Sequence, residues 1–260
     1  MKRAWGRRAL ASSKSSEGLA GRTAVVTGGA AGIGLAIAEA LAAARSRVVI
    51  LDRDADALER ATRRLDGRGV QGDMARDDPV DLAERVLEQH GTVELIVNNV
   101  GVTTPANFRE LERDDFDRVF ATNLRGPWFF TRRLVESVVS DGRRASILFI
   151  SSLHSSRVRH FPHYSASKAG VAMLVKELAH ELGPSGIRVN SVSPGWIDRR
   201  WADKPGRVGS QLALGRAGRP EDVAPVALAL LDDSISGYVT GADLVVDGGL
   251  SLYSWLDAAR

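Results

Sequence analysis

The sequence predicts an α/β fold: one domain built on a doubly wound, parallel, seven-stranded sheet with helices on both faces. Short apolar runs alternate with helical patterns from Arg22 onward, as parallel strands joined by crossover helices are written. A glycine-rich turn, Gly28 to Gly34, separates the first apolar run from the first helical pattern. The chain has 260 residues and is 44% hydrophobic, enough for one packed core.

In order, Arg22 to Thr27 is the first strand, and the glycine turn leads into an Ala/Leu-rich helix ending near Ala44. Arg47 to Asp52 is the second strand, followed by a helix from Ala55 to Leu65. A weak third strand ends at Gly72 and Asp73, a helix covers Asp78 to Gln89, and Val93 to Asn99 is the fourth strand. Asp114 to Ser140 reads as a long helix bent near Gly126 and Pro127, because proline donates no backbone hydrogen bond. ASILFISS (145–152) is a buried fifth strand. A loop then delivers Tyr164 to a helix that Gly183 and Pro184 stop after Leu182. IRVNSVSP (187–194) is the sixth strand, residues 195–218 form an excursion, Pro220 opens a helix through Leu231, and ADLVVDGG (242–249) holds the seventh strand.

Charge is unevenly placed. Residues 1–16 carry five basic side chains and no acidic one, so of the 35 basic residues 30 remain to face 32 acidic ones, and the body is net −2. Residues 1–18 are expected to be a basic disordered tail, too poor in apolar side chains to offset ordering entropy. Its arginines and serines also resemble an organelle transit peptide. Residues 19–260 are expected to form one domain that carries any catalytic site. A body of this charge predicts no nucleic-acid partner, and the absence of a long apolar run predicts no membrane span. The chain has no cysteine, which removes disulfides, thiolate nucleophiles and Cys-based metal sites. No metal is expected, and a cytoplasmic enzyme fits.

The glycine turn TGGAAGIG (27–34) follows a strand and opens a helix, the setting of a Rossmann-type dinucleotide site. Absent side chains let the backbone approach a pyrophosphate, and a helix N-terminus offers unpaired amides. The glycines at 28, 32 and 34 differ in spacing from GxGxxG. Asp52 ends the second strand 18 residues after Gly34, where a carboxylate accepts hydrogen bonds from ribose hydroxyls and repels a 2′-phosphate. NAD is therefore expected over NADP, with Arg53 partly offsetting the repulsion.

The most specific chemical signal is YSASK (164–168). Tyr164 and Lys168, four apart on a helix, project from one face, and the ammonium is expected to favour the phenolate. Lowering a phenol from about 10 to about 7 takes roughly 4 kcal/mol. Such a group serves as general acid or base toward a hydroxyl or carbonyl.

With these residues in hand, the chain resembles the short-chain dehydrogenase/reductase family from Gly21 to Gly249. The likeness rests on TGxxxGIG (Gly28, Gly32, Gly34), Asp73 with Met74, NNVG (98–101), Asn123, the ISS end of the fifth strand, Tyr164 and Lys168, SPG (193–195), GRPEDVA and VTGADLVVDGG. The resemblance implies a catalytic tetrad of Asn123, Ser152, Tyr164 and Lys168. In it Tyr164 exchanges a proton with the substrate oxygen, and Ser152 hydrogen-bonds that oxygen. Lys168 binds the nicotinamide ribose, and Asn123 holds a water linking Lys168 to solvent. It further implies cofactor contacts from Gly28, Ala31, Gly32, Ile33, Gly34, Asp52, Arg53, Asp73, Met74, Asn99, Val100, Gly101, Pro194, Gly195 and Ile197, beside Tyr164 and Lys168. A homotetramer or homodimer is implied through the helices carrying Asn123 and Tyr164 and the seventh strand.

Three departures stand out. Ser152 precedes Tyr164 by twelve residues where the family often has thirteen, which leaves Ser151 as an alternative. Val100 replaces the usual alanine, and Arg199 replaces a threonine that often contacts the cofactor. Substrate selection falls to the loops after the fifth and sixth strands, rich in His154, Arg157, Arg159, His160, His163, Trp196, Arg199, Arg200, Trp201, Lys204 and Arg207. His154 and Trp196 are the candidate substrate contacts. The activity expected is hydride transfer between NAD(H) and a secondary alcohol or ketone. The alternatives are an NADPH-linked 3-oxoacyl-[acyl-carrier-protein] reductase and, from another class, a non-catalytic dinucleotide sensor or interaction module.

Overall fold

The computed structural model describes residues 18–158, 160–198 and 212–252. The expected tail, save Gly18, lies outside the described residues, as do Arg159, Arg199, Arg200, Trp201, Lys204 and Arg207.

Seven strands form one parallel sheet in the order β3-β2-β1-β4-β5-β6-β7. They are β1 (Thr23–Thr27), β2 (Arg47–Asp52), β3 (Arg68–Gln71), β4 (Leu95–Asn98), β5 (Ser146–Ile150), β6 (Arg188–Pro194) and β7 (Asp243–Val246). The helices are α1 (Gly32–Ala43), α2 (Ala55–Leu65), α3 (Pro79–His90), α4 (Arg113–Phe120), α5 (Gly126–Ser140), α6 (Pro162–Leu182), α7 (Pro220–Leu231) and the short α8 (Asp233–Ser236). Apolar side chains alternate across the sheet with period two. Ala24, Val26, Val48 and Ile50 face one core with Ile37 and Leu41 of α1 and Val223 and Leu230 of α7. Val25, Val49, Leu51 and Ile96 face the other, with Leu82 of α3, Phe130 and Leu134 of α5 and Val171 of α6. A sheet covered on both faces is why the central strands read as continuous apolar runs.

The chain order reverses at β1, which pairs with β2 on one side and β4 on the other. Ligands of open α/β sheets bind in the crevice this reversal leaves at the carboxyl ends of the strands. Here the loops after β1 and β4 lie side by side, joined by Thr27. Its hydroxyl donates to the Val97 carbonyl at 3.3 Å and accepts from the amides of Asn99 (3.0 Å) and Val100 (3.2 Å).

The expected bend at Gly126 and Pro127 is instead a wide π-helical turn, Ala121–Arg125, inserted just before them between α4 and α5. Pro127 has no amide to donate to the carbonyl of Asn123, four residues back, so the regular pattern cannot pass through. The turn is local, and the helix resumes at Gly126. Gly126 packs against β3's exit: a Cβ there would lie 2.7 Å from the Met74 carbonyl oxygen and overlap Met74 Cγ.

Candidate active site

The glycine turn is a tight cradle for a physical reason. Gly28 and Gly32 adopt φ of +60° and +56°, a region that glycine enters without strain. A Cβ on Gly34 would overlap the Gly28 carbonyl and come within 2.5 Å of Asn99 Nδ2. That amide nitrogen donates to the carbonyls of Thr27 (2.9 Å) and Gly28 (3.0 Å), fixing the turn against the loop after β4. Ala31 caps α1 in extended conformation and supplies no side-chain acceptor, and the first helical turn, containing Ile33, has no acidic residue. The leading amides of α1 therefore offer hydrogen bonds to an anion.

Asp52 stands at the end of β2 with both oxygens held: one accepts from the Ala30 amide at 3.0 Å, the other from the Asp54 amide at 3.1 Å. A carboxylate so held retains further acceptor sites. Asp52, Arg53, Asp73, Met74, Val100 and Gly101 border a cavity of about 110 Å³ that also touches Gly28. Arg53 lies 3.8 Å from the Asp73 carboxylate and is largely exposed. Asp73 is itself fixed, its carboxylate accepting from the Ala75 amide (2.9 Å), while Met74 is buried. Val100, larger than the usual alanine, is half-buried against the core below. A wider hollow of about 700 Å³ adjoins this cavity, rimmed by Arg53, Arg76, Arg118 and Arg125.

The α6 helix presents Tyr164 and Lys168 on one face. The Ser152 side chain lies beside the Tyr164 phenol, close enough to hold its pKa down in part, whereas the Ser151 hydroxyl is buried without a partner. Of the two serines, Ser152 is the one beside the phenol. Ser151 instead continues the sheet, its amide donating to Val192 at 2.8 Å. Lys168 is buried, with Nζ donating to the Ile150 carbonyl at 2.8 Å and standing 5.8 Å from the centre of the Tyr164 ring. Burial lowers its ammonium to about 8.

The expected acidified phenol is not what the ligand-free geometry gives. Burial pushes Tyr164 above its ordinary value, and Ser152 opposes this only in part. The physical reason is distance and partner: Lys168 spends a donor on Ile150 rather than on the phenol, so desolvation dominates.

Asn123 sits in the π-turn, buried. Its side chain accepts from the Val102 amide at 2.8 Å and donates to the Val102 carbonyl (2.9 Å) and Ser167 Oγ (3.0 Å). Gly101 lies between Lys168 and Asn123: a Cβ there would stand 3.3 Å from Lys168 Nζ and 3.6 Å from Asn123 Oδ1. On the far wall, Pro194 ends β6 and Gly195 packs against Asp247, whose Cβ would be 2.6 Å from a Cβ at 195. Ile197 bridges to Gly218, and Trp196 is 41% exposed. His154 lies edge-on to Tyr164, the ring centres 4.9 Å apart.

Three participants escaped the sequence reading. Thr27 and Ser167 were in view inside motifs, but nothing marks a hydroxyl as a strap between two loops. The Ile150 carbonyl is backbone and has no sequence signal. Among the described residues, no cluster of three or more potential metal ligands occurs, and no helix is long and apolar enough to cross a membrane.

The family model described as Enoyl-(Acyl carrier protein) reductase matches residues 28–251. An uncharacterized oxidoreductase of Mycobacterium bovis is 40% identical over 240 residues, covering 88% of this chain and 96% of that protein. A 3beta-hydroxysteroid dehydrogenase 1 of Eggerthella lenta is 36% identical over 252 residues, covering 90% and 95%. A solved structure of a short-chain type dehydrogenase/reductase from Mycobacterium marinum matches with TM-score 0.83 at 31% identity, over 90% of this chain and 97% of that one. With the glycine cradle and the YSASK helix both inside the matched span, the chain belongs to the short-chain dehydrogenase/reductase family of oxidoreductases.

Proposed function

We propose that the protein transfers a hydride between NAD(H) and a secondary alcohol or ketone, with Tyr164 as the general acid and base. The observation that carries this is Lys168 Nζ standing 5.8 Å from the centre of the Tyr164 ring, with Ser152 beside the phenol and Gly101, which shares a cavity with Gly28 of the glycine cradle, close against Lys168 Nζ. The residues fit a dinucleotide: a Cβ would fill the cradle at Gly34, and Asp52 is fixed at the rim of the adjoining cavity.

In that arrangement Asp52 would accept from the adenosine ribose, the leading amides of α1 would meet the pyrophosphate, and Lys168 would bind the nicotinamide ribose. The dinucleotide supplies or accepts the hydride. Ser152 orients the substrate oxygen by hydrogen bonding, and Tyr164 gives that oxygen a proton as it becomes an alcohol, or takes one in the reverse direction. Burial keeps the phenol protonated in the free protein, the form that donates during ketone reduction. Because the Asn123 side chain is committed to Val102 and Ser167, a relay water at Asn123 would use its main-chain carbonyl, which Pro127 leaves without its usual donor.

The reading of NAD over NADP rests on the Asp52 carboxylate, which a 2′-phosphate would meet at close range. A 3-oxoacyl-[acyl-carrier-protein] reductase is the second reading, favoured by the description of the matched family model. A purely sensory dinucleotide module has no use for a phenol and a serine hydroxyl meeting at the crevice. Assembly as a homotetramer or homodimer is supported by apolar side chains exposed on α4, α5 and α6 (Phe116, Trp128, Met173) and on the edge strand β7 (Leu244, Val245).

Initial rates on a panel of secondary alcohols and ketones, with each dinucleotide, test this reading. NAD(H) should support kcat/KM roughly ten- to hundredfold above NADP(H), and Asp52→Ala should erase that preference, since like-charge juxtaposition costs several kcal/mol. Equal or better efficiency with NADP(H) in the unmodified protein contradicts the assignment of Asp52.

A further inference from the structure

We propose that His154 is a positioning residue that holds the Ser152 loop against the catalytic helix and so keeps the Ser152 hydroxyl and the Tyr164 phenol in register. The inference rests on the proposed function and gives His154 a different task from the substrate contact expected of it.

Four contacts converge on this one side chain and its backbone. The His154 amide donates to Ser152 Oγ at 3.3 Å, so the residue directly anchors the serine that meets the phenol. Its Nδ1 shares a hydrogen bond with Ser165 Oγ at 3.2 Å, and Ser165 is the next residue after Tyr164 on α6. One face of the imidazole lies parallel to the Phe161 ring, 5.9 Å between centres with planes 10° apart, and Phe161 is the N-cap of α6. The ring also meets Tyr164 at 80°, centres 4.9 Å apart.

The consequence follows from where the elements are tied. Ser152 lies just past β5 and Tyr164 on the first turn of α6, with eleven residues between them. The short 3-10 turn Leu153–Ser155 carries His154 between the two. The Lys168–Ile150 hydrogen bond ties α6 to the end of β5 one turn away from Tyr164, and the link through His154 adds a tie at the level of Ser152 and Tyr164 themselves. With it, the imidazole is hydrogen-bonded to α6, stacked on that helix's cap and packed on the tyrosine ring, while its own backbone holds the serine. Aromatic pairs in edge and stacked geometry add stability beyond their buried area, and misplacing a reacting group by about 1 Å costs up to roughly a hundredfold in rate. The packed imidazole also shares in keeping water from the phenol.

The test combines kinetics with a readout that needs no turnover. In His154→Ala, kcat should fall about ten- to a hundredfold while KM for alcohol and for NAD stays within about twofold. Ser165→Ala keeps the ring and removes only its hydrogen bond. It should lower kcat roughly three- to tenfold and have little further effect in the His154→Ala background. In ligand-free protein carrying isotope-labelled tyrosine, the carbon bearing the Tyr164 hydroxyl, assigned by its loss in Tyr164→Phe, should titrate at a lower pH in His154→Ala, because water then reaches the ring.

A raised alcohol KM with unchanged kcat in His154→Ala would make the residue a substrate contact and overturn the inference. So would an unmoved Tyr164 titration together with unchanged kcat. If His154→Ala does not fold, Ser165→Ala decides by its kcat. Failure of the proposed function reads differently: the unmodified protein would then turn over no alcohol or ketone, whatever the Tyr164 resonance does.

Discussion

At the scale of single residues, Tyr164 and Lys168 behave as two desolvated groups rather than as an ion pair. Tyr164 is pushed up by burial and Lys168 is lowered to about 8 by the same cause. For ketone reduction, kcat/KM should therefore be level below about 8 and fall above it as Lys168 loses its proton, since that ratio reports free-enzyme ionisations. Lys168→Arg, whose guanidinium stays charged, should move or remove that limb, and a limb unchanged in the variant would assign it elsewhere. The same depression has a stability cost with a definite sign. A lysine held below its unfolded value destabilises the native state fully below the folded value of about 8, and the penalty fades as pH rises toward the unfolded value. Lys168→Met should accordingly raise ligand-free stability at about pH 7 by roughly 1–3 kcal/mol, less the loss of the Ile150 hydrogen bond, and the gain should shrink toward pH 10. Chemical denaturation of both proteins at several pH values measures it; a gain that grows with pH would contradict the burial account.

Individual elements carry most of what the sequence made legible. The bounds of β2, α2 and α7 are those read from apolar periodicity, with Pro220 marking the start of α7. The glycine turn, with Asp52 and Gly101 beside it, could be placed because backbone approach demands missing side chains in fixed order. Less legible was the joint between α4 and α5, where Pro127 marked an irregularity but not that it would be a π-turn centred on Asn123. The ligand-free structure raises the phenol rather than acidifying it, because helical spacing puts Lys168 on the right face without fixing where its ammonium donates, and one donor goes to the Ile150 backbone. The cradle itself gives a test at this scale. Gly32 needs its positive φ but has open space around it, so Gly32→Ala should cost about 1–2 kcal/mol. Gly34→Ala, which overlaps backbone, should cost more and weaken dinucleotide binding further. Melting curves with and without NAD give the order, and an equal cost at both positions would mean the turn is looser than its geometry.

For the whole molecule, both faces of the sheet are covered while, among the described residues, Phe116 of α4, Trp128 of α5, Met173 of α6 and Leu244 and Val245 of the edge strand β7 stay exposed. Sedimentation at micromolar concentration should show a dimer or tetramer, and Trp128→Glu should shift it to a smaller species, because a charge desolvated at an interface without a partner is costly; a monomer in the unmodified protein would contradict assembly through these faces. Turnover by the purified protein tests the central claim most directly. With NAD and the best alcohol of the panel, Tyr164→Phe should lower kcat by about a hundred- to ten-thousandfold while leaving NAD affinity intact, the loss characteristic of a missing general acid and base. Equal turnover by Tyr164→Phe and the unmodified protein would contradict the assignment of the phenol as the proton carrier.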